Sequence, residues 1–345
     1  MIDSELERFI QAIPKAEVHI HLDSISPALL LRIASRNGVE LPFTDIDAAH
    51  QWYHFRDLDE FLGKWQVTTS VLLTEEDYFD VALELGRDMQ AQNILRREAM
   101  FTYAAAHEGR VPLETVLAGL ARGREAAHRQ YGVDLYYTAD IDRTISPERS
   151  LAYVDAIAPY REEAGILAVG LDCQEVGYPA GAHRQAFERA AEHGFFRSAH
   201  AGEEEAAGPQ GVWDALRDIG VDRLDHGNQA IRDDALVDYL VEHNVPLGLC
   251  PVSNVSINVY PDLAAHPVHA LRERGVRLCV NSDDPPFFQA NLNQNLVQLA
   301  ETFGWSGADI VDLARAGFDC SFATAQEKAG YQQRLDAWLA ENPPP

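Results

Sequence analysis

Two histidines one residue apart, His19 and His21 in "KAEVHIHLD" (residues 15–23), are the first groups in the chain whose types and spacing could do chemistry. Side chains at i and i+2 of a strand point to the same side, so a strand here would aim two imidazoles at one point. His-x-His also arises by chance, and the pair alone does not separate two solvated histidines from two metal ligands. The rest of the chain does. "RSAH" ends in His200, "RLDH" in His226, and "CVNSDD" in Asp283 and Asp284. Each polar group closes an apolar run that does not explain it. Imidazole nitrogens with one carboxylate suit zinc, or a neighbour such as iron or manganese, and disfavour magnesium and calcium. His19, His21, His200 and Asp283 make a coherent ligand set for one such ion. A catalytic ion keeps a position for water, whose pKa it lowers toward neutrality. Glu203, His226 and Asp284 then stand beside it as acid/base and orienting groups.

The elements that must position these residues follow from the hydrophobic pattern. Strand-like runs occur at "AEVHIHLD" (16–23), "ILRREAMFTY" (94–103), "VDLYYTADI" (133–141) and "GILAVGLD" (165–172). Four more follow at "FFRSAHAG" (195–202), "DRLDHG" (222–227), "VPLGLCP" (245–251) and "VRLCVNSDD" (276–284). Between them, stretches such as 112–129, 209–219, 231–243 and 263–274 carry apolar residues at three- and four-residue spacing, the helical period. Strand alternating with helix means parallel strands and right-handed crossovers. Eight units predict a (β/α)8 TIM-type barrel, with a doubly wound sheet as the pattern's other solution. Active-site groups of such a barrel gather at the C-terminal ends of its strands, where the histidines and aspartates above fall. Residues 27–92 break the alternation and read as a helical insertion over the mouth, with "WYHFRDLDEFLGKWQ" inside it. Residues 289–340 read as extra C-terminal helices. No linker or repeat interrupts the chain, so residues 1–345 are expected to form a single domain.

Composition excludes some partners. The 28 basic and 54 acidic residues give a formal charge of −26, and such a surface repels a phosphate backbone, so no nucleic-acid polymer is expected to bind. No apolar run approaches the roughly 20 residues needed to span a bilayer, so no membrane association is expected. "MIDSELERFI" lacks the basic segment and apolar stretch of a signal peptide. The four cysteines show no C-x-x-C spacing and require no disulfide, which fits a reducing, cytoplasmic setting. Nothing in the sequence specifies an oligomeric state.

The motifs "PKAEVHIHLD", "SAHAGEE", "RLDHG", "CPVSN" and "VNSDDPPFF" resemble, in order, those of the adenosine and adenine deaminases, metal-dependent barrels of the amidohydrolase superfamily. The likeness runs from about residue 13 to about 330. It implies one zinc ion per chain and a zinc-bound hydroxide that attacks C6 of a 6-aminopurine, releasing ammonia. Carried over by motif, His19, His21, His200 and Asp283 would hold the metal, and Glu203 would protonate N1 of the ring. His226 would orient the attacking water, while Asp284 would take its proton and contact N7. The chemistry makes sense of the acid: adding hydroxide to an aromatic ring needs a proton delivered to the ring nitrogen. Cytidine-type deaminases, by contrast, hold zinc on cysteines, whose spacing is missing here.

The resemblance leans toward the free-base branch, adenine to hypoxanthine in purine salvage. "GLDCQEVGYP" is similar to the Ser-Glu-Val-Gly segment of adenine deaminases, and Asp225 stands where nucleoside enzymes usually carry glycine. Free adenine has a ring N–H that a nucleoside lacks, and an extra buried acceptor could receive it. The substrate-facing set is therefore Asp23, Glu175, Gly177, Asp225 and Asp284, with Glu175 and then Asp225 as candidate acceptors; each has an alternative reading as a structural carboxylate bonded to backbone or to Arg223. Two departures bear on the substrate. Ser24 replaces the glycine that follows His-Leu-Asp or His-Leu-Glu, and the Asp23 form is the one nucleoside deaminases use toward ribose. Where adenine deaminases carry Asp-Pro-x-x-His, this chain has "TYAAAHEG" (102–109), which leaves room for an N6-substituted adenine or a larger purine adduct if those alanines line the pocket. Adenosine deamination, an amide- or ester-cleaving metallohydrolase, and a non-catalytic purine-binding barrel are the other readings.

Overall fold

Eight parallel strands form in the expected places: β1 Lys15–His21, β2 Ile94–Phe101, β3 Asp134–Asp142, β4 Ile166–Asp172, β5 Phe196–Ala201, β6 Arg223–His226, β7 Leu247–Leu249 and β8 Leu278–Val280. They pair in sequence order, each with the next. The computed structural model describes residues 2–56 and 58–345, so Asp57, inside the expected insertion, lies outside it. Strands such as β2 are buried along their whole length, as both-face coverage by helices requires.

The sheet closes on itself at a seam between β8 and β1. Ile20 bridges Asp283 in parallel; the His21 amide donates to the Asp283 carbonyl (2.9 Å), and the Asp283 amide to the His19 carbonyl (3.2 Å). Farther down the seam a side chain takes the place of backbone: Asn281 Oδ1 accepts from the Val18 amide at 2.8 Å. The last two strands are only three residues long, shorter than their apolar runs suggest. Pro246 cannot donate to a ladder, and beyond Val280 the chain turns into the left-handed region at Asp283.

Residues 27–92 fold into four helices, Pro27–Asn37, Ile46–Trp52, Leu58–Ser70 and Glu75–Gln92. The first starts where its sequence says it should: the Ser26 side chain accepts from the Leu29 amide, Pro27 opens the helix and Gly38 ends it at φ 65°, as capping chemistry prescribes. The middle of this segment lies against the mouth, where Tyr53 and Phe61 pack on Phe287 (ring centroids 4.5 and 5.1 Å). Its last helix instead lies flat against Leu113–Tyr131, the helix after β2. The two approach so closely that a Cβ on Gly119 would sit 2.3 Å from the Glu75 carbonyl oxygen. Helices Leu292–Phe303, Gly307–Cys320 and Ala325–Glu341 occupy the expected C-terminal region. Among the described residues no helix is long and apolar enough to cross a membrane.

Several charged side chains buried in and around the barrel are paired. Arg223 donates to Glu98 (2.6 Å), which also accepts from Arg96 (3.0 Å). Arg97 reaches Glu17 and Asp88, at 2.7 and 2.8 Å. Unpaired, such groups would cost several kcal/mol each, roughly.

Candidate active site

The mouth end of the barrel gathers the four expected ligand residues. β1 carries His19 and His21 past a bulge: Glu17 pairs with Arg97 and Ile20 with Ala99, so three steps on β1 match two on β2. Such bulges re-aim side chains beside functional sites. His19 Nε2 and His21 Nε2 lie 3.5 and 3.3 Å from the same oxygen, Asp283 Oδ1. His200, near the end of β5, brings its Nε2 within 3.3 Å of His21 Nε2. His226 joins from β6, its Nε2 3.9 Å from Asp283 Oδ2. His226 and Asp283 both adopt left-handed backbone (φ 63° and 65°), a conformation uncommon outside glycine and one that gathers at functional sites.

The donor set suits a cation. Ligand atoms of His19, His200 and His226 lie within 4.8 Å of one another, as do those of His21, Asp283 and Asp284 and those of Glu203, His226 and Asp283. His19 is fully buried, yet among the described residues neither of its ring nitrogens has a hydrogen-bond partner. Burying polar atoms unpaired is costly, and a metal among these nitrogens and Asp283 removes the cost at Nε2. Three imidazoles and a carboxylate fit a zinc-class ion. Cys250, buried beside His19 and Asp283 within the same 4.8 Å limit, is a neighbour the sequence reading did not single out.

Beside the ligands stand the acid/base groups. Burial, with the charges of Asp283 and Glu175 nearby, pushes the Glu203 carboxyl well above the usual range, the direction a proton donor needs. Its Oε1 accepts from Asn254 Nδ2 (3.1 Å) and lies 3.5 Å from His226 Nε2. Burial and the neighbouring His19 push His226 down to about 3, leaving it neutral. Burial and Asp283 raise Asp284, whose Oδ1 accepts from the Ser24 hydroxyl. The departure at Ser24 therefore reaches the site directly.

The expected substrate contacts are arranged differently from one another. Glu175 is engaged by backbone: Oε1 accepts from the Gly202 amide (2.8 Å) and Oε2 from the Glu203 amide (3.3 Å). It pins the turn that carries Glu203 and is not an open acceptor, because β5 ends there and leaves those amides without a ladder. Gly177 sits exposed on the same loop at φ 90°. Asp23 is fully buried, with Oδ1 on His107 Nε2 (2.9 Å) and Oδ2 on the Thr102 amide (3.3 Å). Asp225 lies beside Arg223 and His19; burial would raise it, but these cations outweigh burial and hold it well below the usual range. Asp23 has both oxygens engaged within the protein, whereas Oδ2 of Asp225 has no hydrogen-bond partner among the described residues.

Several groups around the site went unread in the sequence. Asn254 joins Glu203 to His226 and accepts from His266 Nε2 at 3.1 Å; it lies in the quoted "CPVSN", which was the available signal. Arg143 donates to the Asp172 carbonyl (3.1 Å) and to the His200 carbonyl, fastening the ends of β4 and β5. Asp172, which accepts from the Thr102 hydroxyl, is raised by burial to about 7.

Known proteins share this arrangement of chain. A model of the adenosine deaminase family matches residues 14–338. An adenine deaminase of Rhodospirillum rubrum is 36% identical over 330 residues, covering 95% of this chain and 98% of that protein. One from Cupriavidus taiwanensis is 37% identical over 343 residues, covering 99% and 97%. The crystal structure of an adenine deaminase from Arthrobacter aurescens superposes with a TM-score of 0.90 at 34% identity, covering 95% of this chain and 100% of that one. With its eight-stranded barrel and a cluster of buried imidazoles and carboxylates at the mouth, the chain belongs to the adenosine deaminase family and is a hydrolytic deaminase.

Proposed function

We propose that the protein deaminates a 6-aminopurine, free adenine in the first place, with the help of one zinc-class ion. The observation that carries this reading is the convergence of His19, His21 and Asp283 within 3.5 Å, with the Glu203 carboxyl 3.5 Å from His226 beside them. His19, His21, His200 and Asp283 would hold the ion, which when bound supplies a water acidified enough to attack at neutral pH. Glu203 delivers its proton to the ring nitrogen as electron density rises there, and Asn254 fixes the carboxyl for that transfer. Neutral His226, whose Nδ1 accepts from Asn254 Nδ2 (3.4 Å), turns its Nε2–H toward the site and orients the attacking water by donating to it. Asp284 takes the proton from that water and, once protonated, donates to N7; the Ser24 hydroxyl holds its other edge. Collapse of the adduct then breaks the C6–N bond: the amino group takes the proton held on Asp284 and leaves as ammonia, while the C6 hydroxyl gives its proton back to Glu203 as the carbonyl forms.

The free base is supported by relatives named adenine deaminase across nearly the whole chain and by Asp23. Each Asp23 oxygen already takes one hydrogen bond, from His107 and from the Thr102 amide, so the residue has a role in the protein that needs no ribose. The test is ammonia release from adenine, adenosine, N6-substituted adenines and larger 6-aminopurine adducts by purified, zinc-loaded protein. Adenine should have the highest kcat/KM. Preference for adenosine overturns the free-base reading, and preference for an N6-substituted adenine shifts attention to Ala104–Ala106, the short helix at the mouth end of β2.

A further inference from the structure

We infer that Asp225 is a positioning residue that fixes the Nδ1 edges of two ligand imidazoles, His19 and His200, and is not a substrate contact. Its place in the barrel carries the argument. Asp225 on β6 pairs in register with His200 on β5, and in-register partners of a parallel sheet stand side by side on one face. Its Oδ1 lies 3.6 Å from His19 Nδ1. Its Oδ2 is buried with no hydrogen-bond partner among the described residues, and so is Nδ1 of His200. Two orphaned atoms thus belong to neighbouring side chains, one an acceptor and the other a nitrogen that can donate.

The tautomer makes them complementary. An imidazole that offers Nε2 to a metal carries its proton on Nδ1, and a buried proton needs an acceptor. One carboxylate has two oxygens, here one for each ring. The carboxylate is itself anchored from below. Arg223 Nε lies 3.3 Å from Oδ1, and the same guanidinium donates to Glu98 (2.6 Å) and to the Val18 carbonyl (3.1 Å). Only 1% of Asp225 is exposed. The inference deepens the metal-assisted reading of the site and rests on it, although its readouts do not depend on turnover.

Two measurements test it. The first is zinc affinity of Asp225→Asn, by competition with a chromophoric chelator. Loss of such a partner should weaken zinc binding roughly 10- to 100-fold, while KM for adenine at saturating zinc stays within about twofold of the parent, since the change is to a metal-orienting contact alone. Unchanged zinc affinity overturns the inference, and a raised KM with unchanged zinc affinity returns Asp225 to the substrate. The second needs no variant: in 15N-histidine spectra of the zinc-loaded native protein, His19 and His200 should both carry the proton on Nδ1. A proton on Nε2 of either ring overturns the inference even if Asp225→Asn fails to fold. Absence of purine turnover with both results intact would instead count against the proposed reaction.

Discussion

In the proposed reaction Glu203 supplies the proton that the ring must receive, and its replacement is the sharpest chemical test at the residue scale. Glu203→Gln keeps the shape and the Asn254 contact but removes the acid, so kcat should fall by about 10²- to 10⁴-fold with zinc content unchanged. Steady-state kinetics beside metal analysis checks it. Ser24→Ala removes one hydrogen bond to Asp284 without adding bulk. It should lower kcat/KM by about 3- to 30-fold, within the worth of a hydrogen bond to a carboxyl group; equal kinetics in parent and variant would make the contact incidental. The gathering of the candidate ligand histidines and Asp283 at one end of the barrel was legible in sequence because strand ends concentrate them, and the nearness of Glu203 because it follows His200 by three residues. Asn254 and Arg143 were not. Each acts across a gap of 28 to 57 residues, and side chains that bond backbone or one another across a fold leave no local periodicity. Glu175 shows the same limit from the other side: its type suggested a substrate contact, and only the positions of two amides show that it braces a turn.

At the scale of elements, the strand and helix order was readable throughout because apolar runs and helical periods are local properties. What the pattern could not give was how the sheet closes, since the seam depends on a side chain standing in for backbone. Asn281→Ala leaves the buried Val18 amide without its 2.8 Å partner, which should cost about 1–3 kcal/mol in urea unfolding. Lys15 at the start of β1 gives a second test. Burial lowers it from 10.5 to about 7, with Glu17 opposing. Between about pH 7 and about pH 10.5 the unfolded chain therefore binds more protons than the folded one, and this group makes stability rise with pH across that window. Below it the lysine is charged in both states and the penalty is constant. Lys15→Met should flatten the rise, by about 2–5 kcal/mol over the window, when unfolding is compared at about pH 7 and about pH 10.

On the scale of the whole molecule, the formal charge of −26 sets what the surface will tolerate, and no salt-dependent retention on immobilised DNA or RNA is expected at physiological ionic strength. Removing metal with a chelator should lower the melting temperature, because a ligand bound only by the folded state stabilises it as the logarithm of one plus the ratio of free ligand to Kd; zinc should restore it. The seam also has a consequence in time. The ligand set draws on the first strand and on the residues just past the last, so His19 and Asp283 meet only when most of the polypeptide has been made. A ribosome-bound chain that has exposed β1 to β7 holds three imidazoles and no fourth ligand. Contacts of such long sequence separation form late and slowly, so with the proposed ligand set the ion would be fully held only once the barrel has closed.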